Sequence, residues 1–279
     1  MDAPLVFRPV TTFDEYAQCA DLQRLVWGDQ DVVPATVFAF QRAIAGLTLG
    51  AWARAPVDGE ASTLVACALS FPGRFEGHWV QWSHLTAVHP HWRDQGVGQR
   101  IKTAQRVAVR DLGFSRIMWS FDPLESRNAR LNFGKLGGTS RFYEINFYGQ
   151  VSATLLQGLP TDRLLVEWDL ERDPPPQEEI LESPPPADAC ILQRDARTVE
   201  DPGLARPAIL RFDLEADVAW LEIPTDLQRL KAYDMDCAVA WREATRVAFQ
   251  HYLGERGYTV QGFQRVAGGR SFYRLVRNR

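Results

Sequence analysis

The sequence predicts a mixed α/β protein, α/β (α+β) in class, with a mostly antiparallel central sheet flanked by helices. Three observations carry that expectation. An apolar run from Trp79 ends near a proline and passes through Arg93-Asp94-Gln95-Gly96-Val97-Gly98 into a long amphipathic stretch, the pattern of strand, turn and helix. Ahead of it, short apolar runs are parted by turn residues at hairpin spacing. Behind it, strand-like and helix-like stretches keep alternating to the C-terminus.

In chain order, Leu5 to Val10 alternates as a strand does. Phe13, Tyr16, Ala17, Ala20 and Leu25 then share one helical face, and Trp27-Gly28-Asp29 ends that helix. Pro34 sits at a first helical turn ahead of VFAFQRAIAG. Leu47 to Ala53 and Ser62 to Phe71 are expected as a hairpin closed by Pro56-Val57-Asp58-Gly59. Trp79 to Val88 is the next strand, and Pro90, which has no N–H to donate, stops regular pairing.

Val97, Ile101, Ala104, Ala108 and Leu112 recur at helical spacing, with Arg100, Arg106 and Arg110 turned largely away and Gly113 closing the helix. Arg116 to Phe121 follows as a short strand, Asp122-Pro123 as a turn, and Ser126 to Leu136 as a helix stopped by Gly137-Gly138. Ser140 to Tyr148 and Leu164 to Leu170 complete a closing pair of strands.

Two triple-proline runs around acidic residues make 171–189 a linker or surface strap, because neither run fits a helix interior or a central strand. The expected organisation is therefore a domain over 1–170, the linker, and a C-terminal α/β extension over 190–279. The extension carries strands at Ala208–Phe212 and Val218–Ile223, a helix from about Ala238 to Leu253, and a hairpin from Tyr258 to Val276 broken by Gly268-Gly269. It resembles a degenerate half-repeat: ATRVAFQHYLGERGYTV echoes TAQRVAVRDLGFSRI, each a helix ending near a glycine before a strand. In place of the glycine turn it has Tyr233-Asp234-Met235-Asp236, whose carboxylates repel a phosphate.

At 279 residues and 31.6 kDa the chain can bury a sizeable core. A net charge of −4 gives no bulk attraction to nucleic acid, and no stretch reaches the length of a membrane span. Cys19, Cys67, Cys190 and Cys237 show neither a metal-binding nor a disulfide spacing, so no metal is expected and reduced thiols in a cytoplasmic protein fit best.

Chemistry concentrates at the glycine turn. Two glycines directly before a helix leave backbone N–H groups unshielded and aimed along the positive end of the helix dipole, a seat for phosphate or pyrophosphate. Here the chain resembles the GNAT acyl-CoA N-acyltransferases. R-D-Q-G-V-G fits their R/Q-x-x-G-x-G/A turn, Leu85-Thr86-Ala87-Val88-His89-Pro90 matches their preceding strand end, and NARLNFGKLG, Asn128 to Gly137, is similar to their later Asn-containing helix. The likeness covers roughly residues 5 to 170, and the tail suggests a subgroup among amino acid N-acyltransferases, some using succinyl-CoA.

The resemblance implies acetyl-CoA or another short acyl-CoA as co-substrate, and a small-molecule amine or amino acid as acceptor. Thr86, Ala87 and Val88 would hold the pantetheine arm by their backbone, and Arg93, Asp94, Gln95, Gly96, Val97 and Gly98 the pyrophosphate, with Asn128 a further cofactor contact. Phe133 stands where the family often has a tyrosine as the acid, so either water protonates the thiolate, the thiolate leaves unprotonated, or Tyr143 or Tyr148 substitutes, each tyrosine having an ordinary reading as a core or rim aromatic. His84, on the strand before the turn, is the candidate base, and Asp122 and Glu125 are secondary candidates with ordinary roles in a turn and a helix cap. An anionic acyl group would call for an arginine such as Arg127, Arg130 or Arg141. A non-catalytic acyl-CoA sensor or interaction module is the alternative, and the tail either covers the acceptor site or makes a homodimer.

Overall fold

The computed structural model describes residues 5–30, 32–53, 62–149, 158–173, 182–195 and 201–278. The expected hairpin turn Pro56 to Gly59 lies outside the described residues, as does the 174–181 part of the expected linker. The chain divides by contact into two compact units, 1–119 with 169–172 and 120–168 with 173–279.

The first unit builds its sheet from β1 (Leu5–Pro9), β2 (Leu47–Ala53), β3 (Thr63–Phe75), β4 (His78–Val88) and the start of β5 (Arg116–Phe121), in that order. The β1–β4 pairs are antiparallel, and β4 meets β5 in parallel. Helices α1 (Phe13–Trp27) and α2 (Ala35–Gln41) close one core with Cys67, Leu69 and Ala87; α3 (Val97–Asp111) closes another with Ala51, Val65, Ala66 and Ala68. Alternating strand side chains supply both cores, which is why these strands read as nearly continuous apolar runs.

The third strand runs past the expected end at Phe71 to Phe75, through Pro72 and Gly73. Among the described residues its pairing with β2 ends at Leu47 and Ser70, so Pro72 sits where that side of β3 asks for no N–H. A two-residue turn at Glu76 (φ 45°) and Gly77 (φ 83°) then returns the chain into β4.

The buried stripe of α3 also differs from the expected one. It runs through Val97, Ile101, Lys102, Gln105 and Val109, while Leu112 is exposed. Apolar spacing located the helix, but the stripe rotates to take in two polar residues that find partners inside.

The second unit orders its strands β7 (Arg163–Asp169), β6 (Thr139–Glu144), β11 (Tyr258–Val266), β12 (Arg270–Arg277), β10 (Val218–Ile223), β8 (Cys190–Arg194) and β9 (Pro207–Leu210). All its recorded pairs are antiparallel except β10 with β8. Strand β8 and helix α5 (Leu227–Tyr233) were not expected from the sequence. The expected Ser140–Tyr148 strand ends at Glu144, after which Asn146 (φ 49°) and Gly149 (φ 67°) turn the chain.

Two helices here change pitch. Helix α4 (Ser126–Ala129) continues as a π-helical turn over Arg130–Lys135, and α6 (Met235–Phe249) as one over Gln250–Glu255. Each π turn is capped alike, Leu136 N–H to Leu131 O at 2.9 Å and Arg256 N–H to His251 O at 3.0 Å, and each is followed by a left-handed glycine, Gly137 (φ 74°) or Gly257 (φ 68°), and then a strand. Helix α3, the expected counterpart of the tail's helix–glycine–strand, likewise ends at a left-handed glycine, Gly113 (φ 86°), before a strand, but it has no π turn.

Candidate functional site

Strand β4 bends before it reaches the glycine turn. Leu85 pairs with Leu69 and Ser83 with Ser70, which leaves His84 as an extra residue without a partner across β3. A bulge of this kind twists a strand and re-aims the side chain it carries. His84 is exposed, lies edge-on to Phe71 with ring centroids 5.8 Å apart, and has its imidazole pushed below the ordinary range by the apolar surroundings.

The opposite edge of β4 pairs with β5 only at Gln81 with Ile117 and Trp82 with Met118. Among the described residues the ladder goes no further, so Ser83 to Val88 have no β5 partners on that edge. Thr86 and Val88 are half-buried and Ala87 is core; the Thr86 Oγ1 atom is buried without a hydrogen-bond partner among the described residues.

Pro90 to Trp92 make one 3₁₀ turn after β4, and the chain then enters two left-handed positions, Asp94 (φ 62°) and Gly96 (φ 72°). A Cβ on Gly96 would meet nothing within 4 Å, so its backbone conformation, not crowding, is what asks for glycine. Gly96 is the N-cap of α3 and offers no side chain to the first-turn N–H groups. Gln95 is turned back, its Nε2 donating to the His91 carbonyl at 2.8 Å. Arg93, Asp94, Gln95 and Gly96 are exposed, Val97 is buried and packs into the α3 core, and Gly98 is half-buried. The result is an exposed helix N-terminus whose N-cap residue offers no side chain, next to a strand edge with no β5 partners among the described residues, an arrangement able to receive an anion.

Beneath it lies a residue that the sequence reading missed. Lys102 is 5 % exposed; its Nζ donates to Ser83 Oγ at 2.7 Å and to Gln105 Oε1 at 3.2 Å, and stands 4.2 Å from the centre of the Trp119 ring. Burial pushes its ammonium down to about 7. Its signal in the sequence was its place beside Ile101, one turn before Gln105 and two before Val109 on the stripe that faces the sheet.

The remaining candidates lie in the second unit. Asn128 is exposed on α4. Phe133 is 2 % exposed, with its ring centroid 5.8 Å from Phe121 and 5.7 Å from Tyr273. Tyr143 donates to Asp162 Oδ2 at 2.7 Å and stacks on Phe249; burial first, and then the Asp162 carboxylate, push its hydroxyl far above the ordinary range. A proton held that firmly makes a poor acid. Tyr148 is exposed, with its hydroxyl 2.8 Å from Ser120 Oγ and the Arg163 guanidinium 5.2 Å from its ring centre. The two tyrosines thus hold separate partners.

Asp122 and Glu125 are structural in their contacts. Asp122 Oδ2 accepts from Arg242 Nη2 at 2.6 Å with Arg163 at 3.8 Å, and its other oxygen caps Leu124 N–H at 2.9 Å. Glu125 accepts from Gln228 at 2.6 Å, and burial raises its carboxyl. Asp162 is fully engaged, taking two bonds from Arg246 at 2.8 and 2.9 Å and one from Asn146 N–H at 3.0 Å. Arg141 pairs with Glu167 at 3.2 Å, and Arg127 is exposed. Among the described residues no group of three or more His, Cys, Asp and Glu is placed to hold a metal, and no helix is long and apolar enough to cross a membrane.

No family model and no curated protein matches the chain. Solved structures similar to it are acetyltransferases, many of the GNAT family. A GNAT family acetyltransferase from Elizabethkingia anophelis with acetyl-CoA bound is 16% identical, covering 59% of this chain and 97% of that one at a TM-score of 0.44. The ribosomal-protein-S18-alanine N-acetyltransferase from Escherichia coli is 12% identical, covering 61% and 96% at 0.46. A GNAT family acetyltransferase from Streptococcus pneumoniae is 11% identical, covering 59% and 98%, also at 0.46. At these values the likeness carries no activity over to this chain.

Proposed function

We propose that the chain transfers an acyl group from acyl-CoA, either acetyl-CoA or another short acyl-CoA such as succinyl-CoA, to the amine of a small molecule or amino acid by direct attack in a ternary complex. The observation that carries this reading is the uncapped, left-handed turn at Asp94 and Gly96, set at the start of α3 where β4 has parted from β5. Amides of Gln95 to Gly98 hold the pyrophosphate, with Arg93 adding a charge-assisted contact. Open backbone groups between Ser83 and Val88 hold the pantetheine amides, and one N–H there polarises the thioester carbonyl.

Attack requires a deprotonated amine. His84 is the group suited to accept that proton: it is exposed on the bulge, and its lowered affinity for protons keeps it neutral at pH 7. For the leaving thiolate no side chain is assigned: the Tyr143 hydroxyl is committed to Asp162 and the Tyr148 hydroxyl to Ser120.

A second reading, a non-catalytic acyl-CoA sensor, is favoured by Phe133, which is sealed in an aromatic cluster and cannot donate a proton. Purified protein incubated with acetyl- or succinyl-CoA and an amine panel, followed by release of free thiol, separates the two. Turnover with any amine supports transfer. Tight CoA binding without turnover supports the sensor. Failure to bind CoA, or unchanged affinity in Gly96→Glu, sinks the cofactor assignment.

A further inference from the structure

Lys102 takes no part in the chemistry above, yet its setting is unusual. The elements packed on this face of the unit carry no carboxylate at all: β2, β3, β4 and β5 contain no Asp or Glu, and their titratable residues are Cys67, Arg74, His78, His84 and Arg116. On α3 itself the charged residues are Arg100, Arg106, Arg110 and the terminal, exposed Asp111. In the 169–172 segment, Asp169 is bound to Arg172 at 3.3 Å and Glu171 is exposed. Among the described residues the Lys102 amine is therefore held only by neutral groups, Ser83, Gln105 and the Trp119 ring, and the Gln105 Nε2 beside it is itself unpaired.

We propose that Lys102, buried under β4 with no carboxylate to neutralise it, takes up a proton when a polyphosphate ligand binds at the Arg93–Gly98 turn, so that this ligand binds more tightly as the pH falls. The inference rests on the cofactor reading above and deepens it.

The argument is one of distance and medium. Lys102 lies five residues into α3, which at the helical rise places its Cα roughly 7–8 Å from the start of the helix. The path between them runs through the packed interior of α3 and the sheet, where a charge pair is screened far less than across solvent. Neutral partners can accept from a charged or an uncharged amine, so the cluster does not fix the protonation state. Burial favours the neutral amine, which is why its affinity for protons drops to about 7. A phosphate anion at the turn favours the ammonium. Binding and protonation are then linked, and each strengthens the other. At pH 8 the expected uptake is roughly 0.7 of a proton per ligand bound, taking one net negative charge at that distance and an effective dielectric of about 20.

Calorimetry of CoA binding to the full chain at pH 8, in buffers of differing ionisation enthalpy, counts that proton. Wild type should take up roughly 0.7 of a proton more than Lys102→Arg, whose charge is permanent, and more than Lys102→Met, which has no charge. Both variants should still bind CoA, and wild-type affinity should fall about sevenfold from pH 7.5 to 9 as the linkage is lost. Equal proton uptake in all three proteins overturns the inference while leaving the cofactor reading intact. Wild-type affinity that does not change over this range overturns it without recourse to either variant. Absence of CoA binding to wild type overturns the cofactor reading and this inference together.

Discussion

Replacing Phe133 by tyrosine restores the side chain that the GNAT resemblance leads one to expect, and the structure predicts that it brings no gain. The ring is 2 % exposed and wedged between Phe121 and Tyr273, whose own hydroxyl is spent on the Pro123 carbonyl at 2.7 Å. A hydroxyl added at the end of the Phe133 ring enters an aromatic cluster, away from water. Burying it unpaired costs about 1–3 kcal/mol, and forcing its extra volume into a packed core a further 1–3 kcal/mol. Phe133→Tyr should thus lose about 2–6 kcal/mol, a large share of the stability of an ordinary domain, with no increase in acyl transfer. Urea unfolding gives the first quantity, and free-thiol release under saturating acyl-CoA the second. A variant as stable as wild type and tenfold faster would mean that the new hydroxyl reaches the leaving thiolate, and the assignment of Phe133 to the core would be wrong.

Other substitutions test the remaining parts. If His84 is the base, kcat/KM falls as the pH drops through its protonation, which its apolar surroundings place below the ordinary histidine value of 6.5; His84→Gln should lower kcat and erase that acid limb, and an unchanged pH–rate profile removes His84 from the mechanism. Lys102 is held at about 7 when folded against 10.5 when free, so between these values the unfolded chain binds more protons and stability rises with pH. Wild type should gain up to about 1.4 kcal/mol per pH unit relative to Lys102→Met across that window, and parallel stability curves would refute it. Arg242→Met strands the buried Asp122 carboxylate and should cost about 3–5 kcal/mol, nearer the lower figure because Arg163 stands 3.8 Å away; a loss under 1 kcal/mol in urea unfolding would show that the pair is not buried as described.

What the sequence revealed and what it hid divide by the range of the interactions concerned. The turn from Arg93 to Gly98 was legible because its determinants are local: a proline that stops a strand, glycines that permit positive φ, and an apolar period that starts a helix. Lys102 was not legible, because whether a lysine lies on the buried or the wet side of a stripe depends on Ser83 and Trp119, partners brought by other strands. The same holds for Asp122, read as a turn residue, whose partner Arg242 comes from a helix far along the chain. The π turns escaped for another reason. Inserting one wider turn leaves the apolar pattern almost unchanged, so Ser126–Leu136 and Ala238–Leu253 both read as plain helices.

The three fifteen-residue helices show why the proposed anion seat falls where it does. At the start of α1, Thr12 accepts from the Glu15 N–H and Glu15 reaches back, a complete capping box. At the start of α6, the Asp234 side chain accepts from the Cys237 N–H at 2.9 Å. The acidic Tyr233-Asp234-Met235-Asp236 stretch thus brings its own carboxylate to the helix dipole. Helix α3 starts at a glycine in the left-handed region, with no side chain to cap it and with the chain before it turned so that its first amides are exposed. Each of the other two helices is closed by an oxygen from its own sequence. For α3 the N-cap residue brings no oxygen of its own, and a pyrophosphate would supply oxygens together with the charge that the helix end favours.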